Sequence, residues 1–175
     1  TCRTTCRHAA GRLIAKGCER PGLVLPQEML AGDCDSEAGF RAGAGTRPVA
    51  VARHDGTPDG LCRALDTVMR EARPQGLLVC HSTHAVTALS HLLLHAWRVP
   101  PQVRLISRDD DPFLEHVTPT PARYAMSPES YARRIAAITY TGRYTFDYTK
   151  VFEEALSVED QLLIDRLFPQ VRLSK

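Results

Sequence analysis

Val79 to Val103 reads VCHSTHAVTALSHLLLHAWRVPPQV, and Arg104 to Phe113 continues it as RLISRDDDPF. GLLVC (Gly76 to Cys80) is an apolar run short enough for a buried strand. Ser82 stands where a helix cap belongs, and Thr83 to Trp97 carries helical periodicity. After a Val99-Pro100 turn, VRLIS (Val103 to Ser107) predicts a second strand, and Asp109, Asp110 and Asp111 follow it at once. In open α/β sheets ligands sit outside the carboxyl ends of the strands, so this stretch has the order expected of half a small-molecule pocket.

The same rhythm extends upstream. Ala9, Ala10, Leu13 and Ile14 mark one face of a helix over Thr4 to Lys16, with Gly17 as its stop. GLVL (Gly22 to Leu25) is a strand closed by Pro26, and Asp33 or Asp35 caps a helix through Phe40 to about Ala42. PVAVA (Pro48 to Ala52) gives the next strand. Thr57-Pro58-Asp59 then supplies an N-cap, a first-turn proline and a first-turn acid for a helix to about Ala72. Strands alternating with helices across short loops predict an α/β fold with a doubly wound parallel sheet over residues 1–117. From 118 to 175 the rhythm breaks: Pro119, Pro121 and Pro128 punctuate the chain, a helix is expected from Ser127 or Pro128 to about Thr139, a hairpin around Gly142, and a capping-box-like start at Ser157.

Composition narrows the function class. The 175 residues are 43% hydrophobic and 24% charged, with 22 basic and 20 acidic side chains well interspersed, so no basic stripe points to nucleic acid. No apolar run approaches the roughly 18 residues a membrane helix needs. Six cysteines without any Cys-x-x-Cys pair predict reduced thiols and a cytoplasmic setting. Thr1 already stands on a helical pattern, which predicts a piece of a longer protein.

Candidate chemistry centres on the acids after the fourth strand. Three clustered aspartates can cap the next turn, bind a cation, or accept hydrogen bonds from hydroxyls. A calcium site needs 6 to 8 oxygen ligands, and no second acidic cluster ends a neighbouring strand, which leaves hydroxyl recognition as the functional reading. His84, His91 and His95 share one side of the following helix, read as opposite Ala85, Leu89 and Leu93 and as a solvated row with no carboxylate partner. No metal site or cofactor is expected from it. His81 stands at the strand-to-helix switch, where a ligand contact and a plain loop histidine are equally open. No G-x-S-x-G elbow, phosphate-binding loop or G-x-G-x-x-G after a strand is present, and Cys80-His81 are adjacent in sequence rather than convergent, so no catalytic residue is assigned.

These residues resemble the effector-binding domain of the LacI/GalR repressor family, built like periplasmic sugar-binding proteins. The likeness rests on Leu78 to Val103 with its Val-Pro turn, VRLISRDD, Thr118-Pro119 with SPESYARRIA, FPQVRLS near the end, and, upstream, CRHAAGRLIAKGCERPGLVL and Glu37-Ala-Gly-Phe40. It implies a type I periplasmic-binding-protein-like fold that senses a small polar effector in a cleft between two subdomains. Operator DNA would be reached only through a helix-turn-helix headpiece, which this chain lacks together with the first half of the amino-terminal subdomain. The strand-end carboxylate that takes effector hydrogen bonds falls on Asp109. The family's Asn-Asp pair is replaced by His81-Ser82, its effector-gripping helix Arg by Ser36, and its strand-end Gly-Tyr by Ser107-Arg108. Asp109, His81, Ser36 and Ser82 are thus the expected ligand-binding positions. Val86, Ser90 and Leu94 form the stripe expected at a homodimer interface. A periplasmic-type sugar-binding protein is the alternative, and a metal-dependent hydrolase using the acids and histidines a more distant one. Residues from Ala122 onward, with the face of Tyr131, Ile135 and Ile138, are expected to belong to a subdomain whose other strands lie outside the chain.

Overall fold

The computed structural model describes residues 2–124. Its elements are α1 (Cys2–Ala15), β1 (Pro21–Pro26), α2 (Ala31–Ala44), β2 (Ala50–His54), α3 (Pro58–Glu71), β3 (Gly76–Val79), α4 (Ser82–Leu94), β4 (Arg104–Ser107), a 3-10 turn (Pro112–His116) and β5 (Ala122–Arg123). The five strands run in the order β2-β1-β3-β4-β5, every pairing parallel. The described residues belong to one compact unit, which includes β5. The helix expected from Ser127, the Gly142 hairpin, the Ser157 cap and the Tyr131 face lie outside the described residues.

Alternation along the strands divides the core in two, because successive side chains point to opposite faces of a sheet. Val24, Leu77 and Val79 pack with Leu61 and Leu65 of α3 and Ala85, Leu89 and Leu92 of α4. Leu23, Leu25, Leu78 and Cys80 pack with Cys6, Ala10 and Leu13 of α1 and Phe40 of α2. The α1–α2 contact is close enough that a Cβ on Gly39 would stand 2.1 Å from the Arg3 carbonyl oxygen, and one on Gly43 2.2 Å from that of Arg7. These two glycines, one turn apart, let the two backbones meet.

Helix ends follow local chemistry. Thr57 caps α3 as its sequence predicts, accepting from the Gly60 N–H at 2.9 Å, with Pro58 in the first turn. Two expected caps are corrected. The N-cap of α2 is Leu30, and Asp33 stands three residues in, accepting from the Leu30 N–H at 3.2 Å. The N-cap of α4 is His81, and Ser82 is already helical, its hydroxyl donating to Asp111 Oδ2 at 3.4 Å. The chain leaves α4 at Leu94 rather than Trp97, because Ala96 takes a left-handed φ of 58° that ends the ladder while Trp97 folds back against the core.

The face assignments of α4 also need correction. At ~100° per residue Ala85, Ala88, Leu89 and Leu92 share the buried side, while Leu93 has rotated off it and is 41% exposed. The histidine row is a flank beside Ala88 rather than the opposite face. His91 is turned to α3, where Asp66 Oδ1 lies 2.7 Å from its Nε2. Opposite the core stand Ser90 and Leu94, the latter 81% exposed. No described helix is long and apolar enough to cross a membrane.

Candidate functional site

Chain order reverses between the neighbouring strands β1 and β3: the chain leaves β1 through α2 toward β2 and leaves β3 through α4 toward β4. Because α2 and α4 cover opposite faces of the sheet, their amino ends diverge at this point, which is where doubly wound sheets form their ligand crevice. The first two turns of α2 bring Asp33 and Ser36 there, the start of α4 brings His81 and Ser82, and the end of β4 brings Arg108 and Asp109.

The side chains converge. Asp109 Oδ2 lies 3.5 Å from His81 Nδ1, and Asp33 Oδ1 lies 3.9 Å from His81 Nε2, so the imidazole bridges two carboxylates. Arg108 donates from Nε to Asp109 Oδ1 at 3.0 Å and from Nη1 to the Ser36 hydroxyl at 2.8 Å. The Ser36 hydroxyl in turn donates to the Gly32 carbonyl at 2.7 Å. Exposure grades through the cluster: Ser36 and Asp33 are buried, the Arg108 side chain is 12% exposed, and His81 and Asp109 are 41% and 39% exposed. An acceptor and an imidazole therefore face solvent over a buried polar floor.

Burial would raise the Asp109 carboxyl, but hydrogen bonds from His81 and Arg108 outweigh it and hold the group below its ordinary range. Burial likewise opposes the Arg108 charge, and its bond to Asp109 overcomes that, fixing the guanidinium as a permanent cation. Asp109 is thus ionised and acceptor-only, with lone pairs left over for ligand hydroxyls.

The three acids divide their tasks. Asp109 faces His81. Asp110 accepts from Arg123 Nε of β5 at 2.7 Å, and Asp111 caps the 3-10 turn through the Phe113 N–H at 3.3 Å. The capping reading of the triplet thus holds at Asp111, while Asp109 is turned to His81 and Arg108. Ser36 is buried with its hydroxyl engaged, so it positions Arg108 instead of facing the crevice. Sequence reasoning took Ser36 and Arg108 as two separate departures; the signal that would have joined them is that the guanidinium absent from α2 stands at the end of β4.

Behind His81 two further histidines extend the cluster. His84 lies edge-on to His81, centroids 5.4 Å apart, and to His54 of β2 at 4.4 Å. His54 is buried, its Nδ1 accepting from the Gly56 N–H at 3.1 Å while its Nε2 has no hydrogen-bond partner among the described residues. Burial first, and the neighbouring histidines second, lower the basicity of His54, and burial lowers that of His84. Cys80 is fully buried and shares a hydrogen bond with Cys6, which together with burial pushes its thiol up. A concave space of about 470 Å³ runs separately along edge strand β2 beside α3, lined by Val51, Ala64 and Thr67.

Residues 10–141 match the family model described as a periplasmic binding protein-like domain. The chain belongs to that family. No curated protein sequence matches it. Among solved structures, this periplasmic binding protein-like domain is similar to a sugar-binding LacI-family transcriptional regulator from Escherichia coli complexed with phosphate, with TM-score 0.61 and 20% identity over 70% of this chain and 46% of that one. It is similar to a LacI-family regulator from an Arthrobacter species in complex with lactose, with TM-score 0.66 and 15% identity over 81% and 55% of the two chains. A putative ribose operon repressor from Burkholderia thailandensis matches with TM-score 0.57 and 27% identity over 68% and 45%. The chain spans about half the length of these structures. The expected α/β fold and its family resemblance are thereby borne out.

Proposed function

We propose that this chain is the effector-binding subdomain of a bacterial transcriptional regulator and that it senses a small, hydroxyl-rich metabolite. The observation that carries the reading is the convergence of Asp109, His81 and Arg108, from two different strand ends, on one crevice at the reversal of strand order. An ionised carboxylate beside an imidazole, both half-exposed above a guanidinium that is only 12% exposed, suits a ligand that donates from hydroxyls. The lactose and phosphate complexes of the structural neighbours support a polar effector.

Binding in the crevice would draw a second subdomain over it, and this hinge closure would alter the pose of a DNA-binding headpiece that reads the operator. The reading is of a binding protein rather than an enzyme, cytoplasmic, without a cofactor, and dimeric through the outer face of α4. Free thiols at Cys2, Cys6, Cys18, Cys34, Cys62 and Cys80 support the reducing compartment.

The test is calorimetry with a ligand taken from a thermal-shift screen of sugars, polyols and nucleosides. Asp109→Ala is expected to cost roughly 1.5–3 kcal/mol, the worth of a charged hydrogen bond, or tenfold and more in affinity, while circular dichroism is unchanged. Undiminished affinity in the folded variant would remove Asp109 from the site.

A further inference from the structure

Away from the crevice, α3 and α4 lie side by side on the same sheet face and bring together three groups that no feature of the proposed effector site uses. His91, in the last turn of α4, and His95, its C-cap, stand with ring centroids 4.3 Å from each other. Asp66 of α3 approaches the same point, its Oδ1 2.7 Å from His91 Nε2. One ligand atom from each of Asp66, His91 and His95 lies within 4.8 Å of the other two. The sequence pattern supplied the two histidines; the packing of α3 supplies the carboxylate.

We propose that Asp66, His91 and His95 form a binding site for a divalent transition cation of the zinc type. Two neutral imidazoles and one carboxylate are a borderline-soft donor set, unsuited to calcium or magnesium, which take oxygen ligands. With bonds of about 2.0–2.2 Å, a tetrahedral ion needs its donors roughly 3.4 Å apart, so an adjustment on the order of 1 Å closes the set. His95 and Asp66 are exposed and free to make it, whereas His91, with 11% of its side chain exposed, is already held. Among the described residues Asp66 pairs with no arginine or lysine, so its charge is available to the cation. The rim position leaves the fourth coordination place to water. A cation here ties the carboxyl half of α4 to α3, and α4 begins at His81 in the crevice.

The test uses the whole chain, stripped of metal and titrated with zinc alone in a calorimeter, with cobalt as a spectroscopic substitute. One equivalent is expected, with the visible bands of four-coordinate cobalt and without a thiolate-to-cobalt charge-transfer band. Asp66→Asn and His95→Ala should each weaken binding at least tenfold, and His116→Gln, at an exposed histidine elsewhere, should not. Circular dichroism establishes that the variants are folded. Absence of a one-equivalent site, binding untouched by both substitutions, or a thiolate band that assigns the metal to cysteine would overturn the proposal.

Discussion

Arg108 is the residue on which the crevice floor depends, because Asp109 and the Ser36 hydroxyl both hydrogen-bond its guanidinium and Asp33 lies 3.9 Å away. Replacing it with Gln leaves the buried Asp33 without its nearest cation. Arg108→Gln should therefore destabilise the fold by roughly 1–3 kcal/mol in urea denaturation and let the Asp109 carboxyl rise toward its ordinary value, readable by NMR titration. Unchanged stability would mean that the buried cluster is solvated from elsewhere. His54 gives a pH signature. An unfolded histidine takes up its proton near 6.5, but burial holds native His54 below that, with His84 and His81 adding repulsion and Asp55 and Asp33 opposing it. Between the two values the unfolded state binds more protons, so stability falls as pH drops below about 6.5 toward the depressed native value. Urea midpoints measured from about pH 7.5 to about pH 5.5 should show this slope, and His54→Gln should reduce it to the part contributed by His84, which burial also depresses.

Elements register close backbone approach. Gly39→Ala drives a methyl into the Arg3 carbonyl and should cost about 1–3 kcal/mol or more, since both partners are helix backbone that cannot yield. Gly11, on α1 with nothing within 4 Å of a built Cβ, is the contrast: Gly11→Ala should gain about 0.5–1 kcal/mol by helix propensity. The same denaturation series checks both. On α4, Leu94 is exposed on the side opposite the core, consistent with the proposed dimer face. Sedimentation should show a dimer that Leu94→Glu converts to monomer; a dimer that survives places the interface elsewhere. These helices were legible as elements because proline, glycine and apolar spacing mark them, and Thr57-Pro58-Asp59 located the start of α3 to the residue. The start of α2 was not, since its cap is a leucine whose backbone, not its side chain, meets Asp33. The α4 flanks were misread because Leu93 is apolar but rotated away from Ala85, and because the partner of His91 comes from a helix 25 positions earlier.

The whole-molecule pattern was legible because alternating apolar runs and amphipathic segments leave few parallel arrangements, and the crevice followed from the strand-end acids. What sequence could not carry was distance. The exchange that puts a serine on α2 and an arginine after β4 links positions 36 and 108, and only the β1–β3 reversal brings them together. The short strand β5, two residues paired to Ile106 and Ser107, is too brief to leave a periodic signal. The central claim, that ligand binds in this crevice, is tested most directly by amide NMR of the labelled chain titrated with the ligand from the screen. Shifts are predicted at Asp33 to Ser36, His81, Ser82, Arg108 and Asp109; shifts confined instead to the groove along β2, at Val51, Ala64 and Thr67, would contradict it.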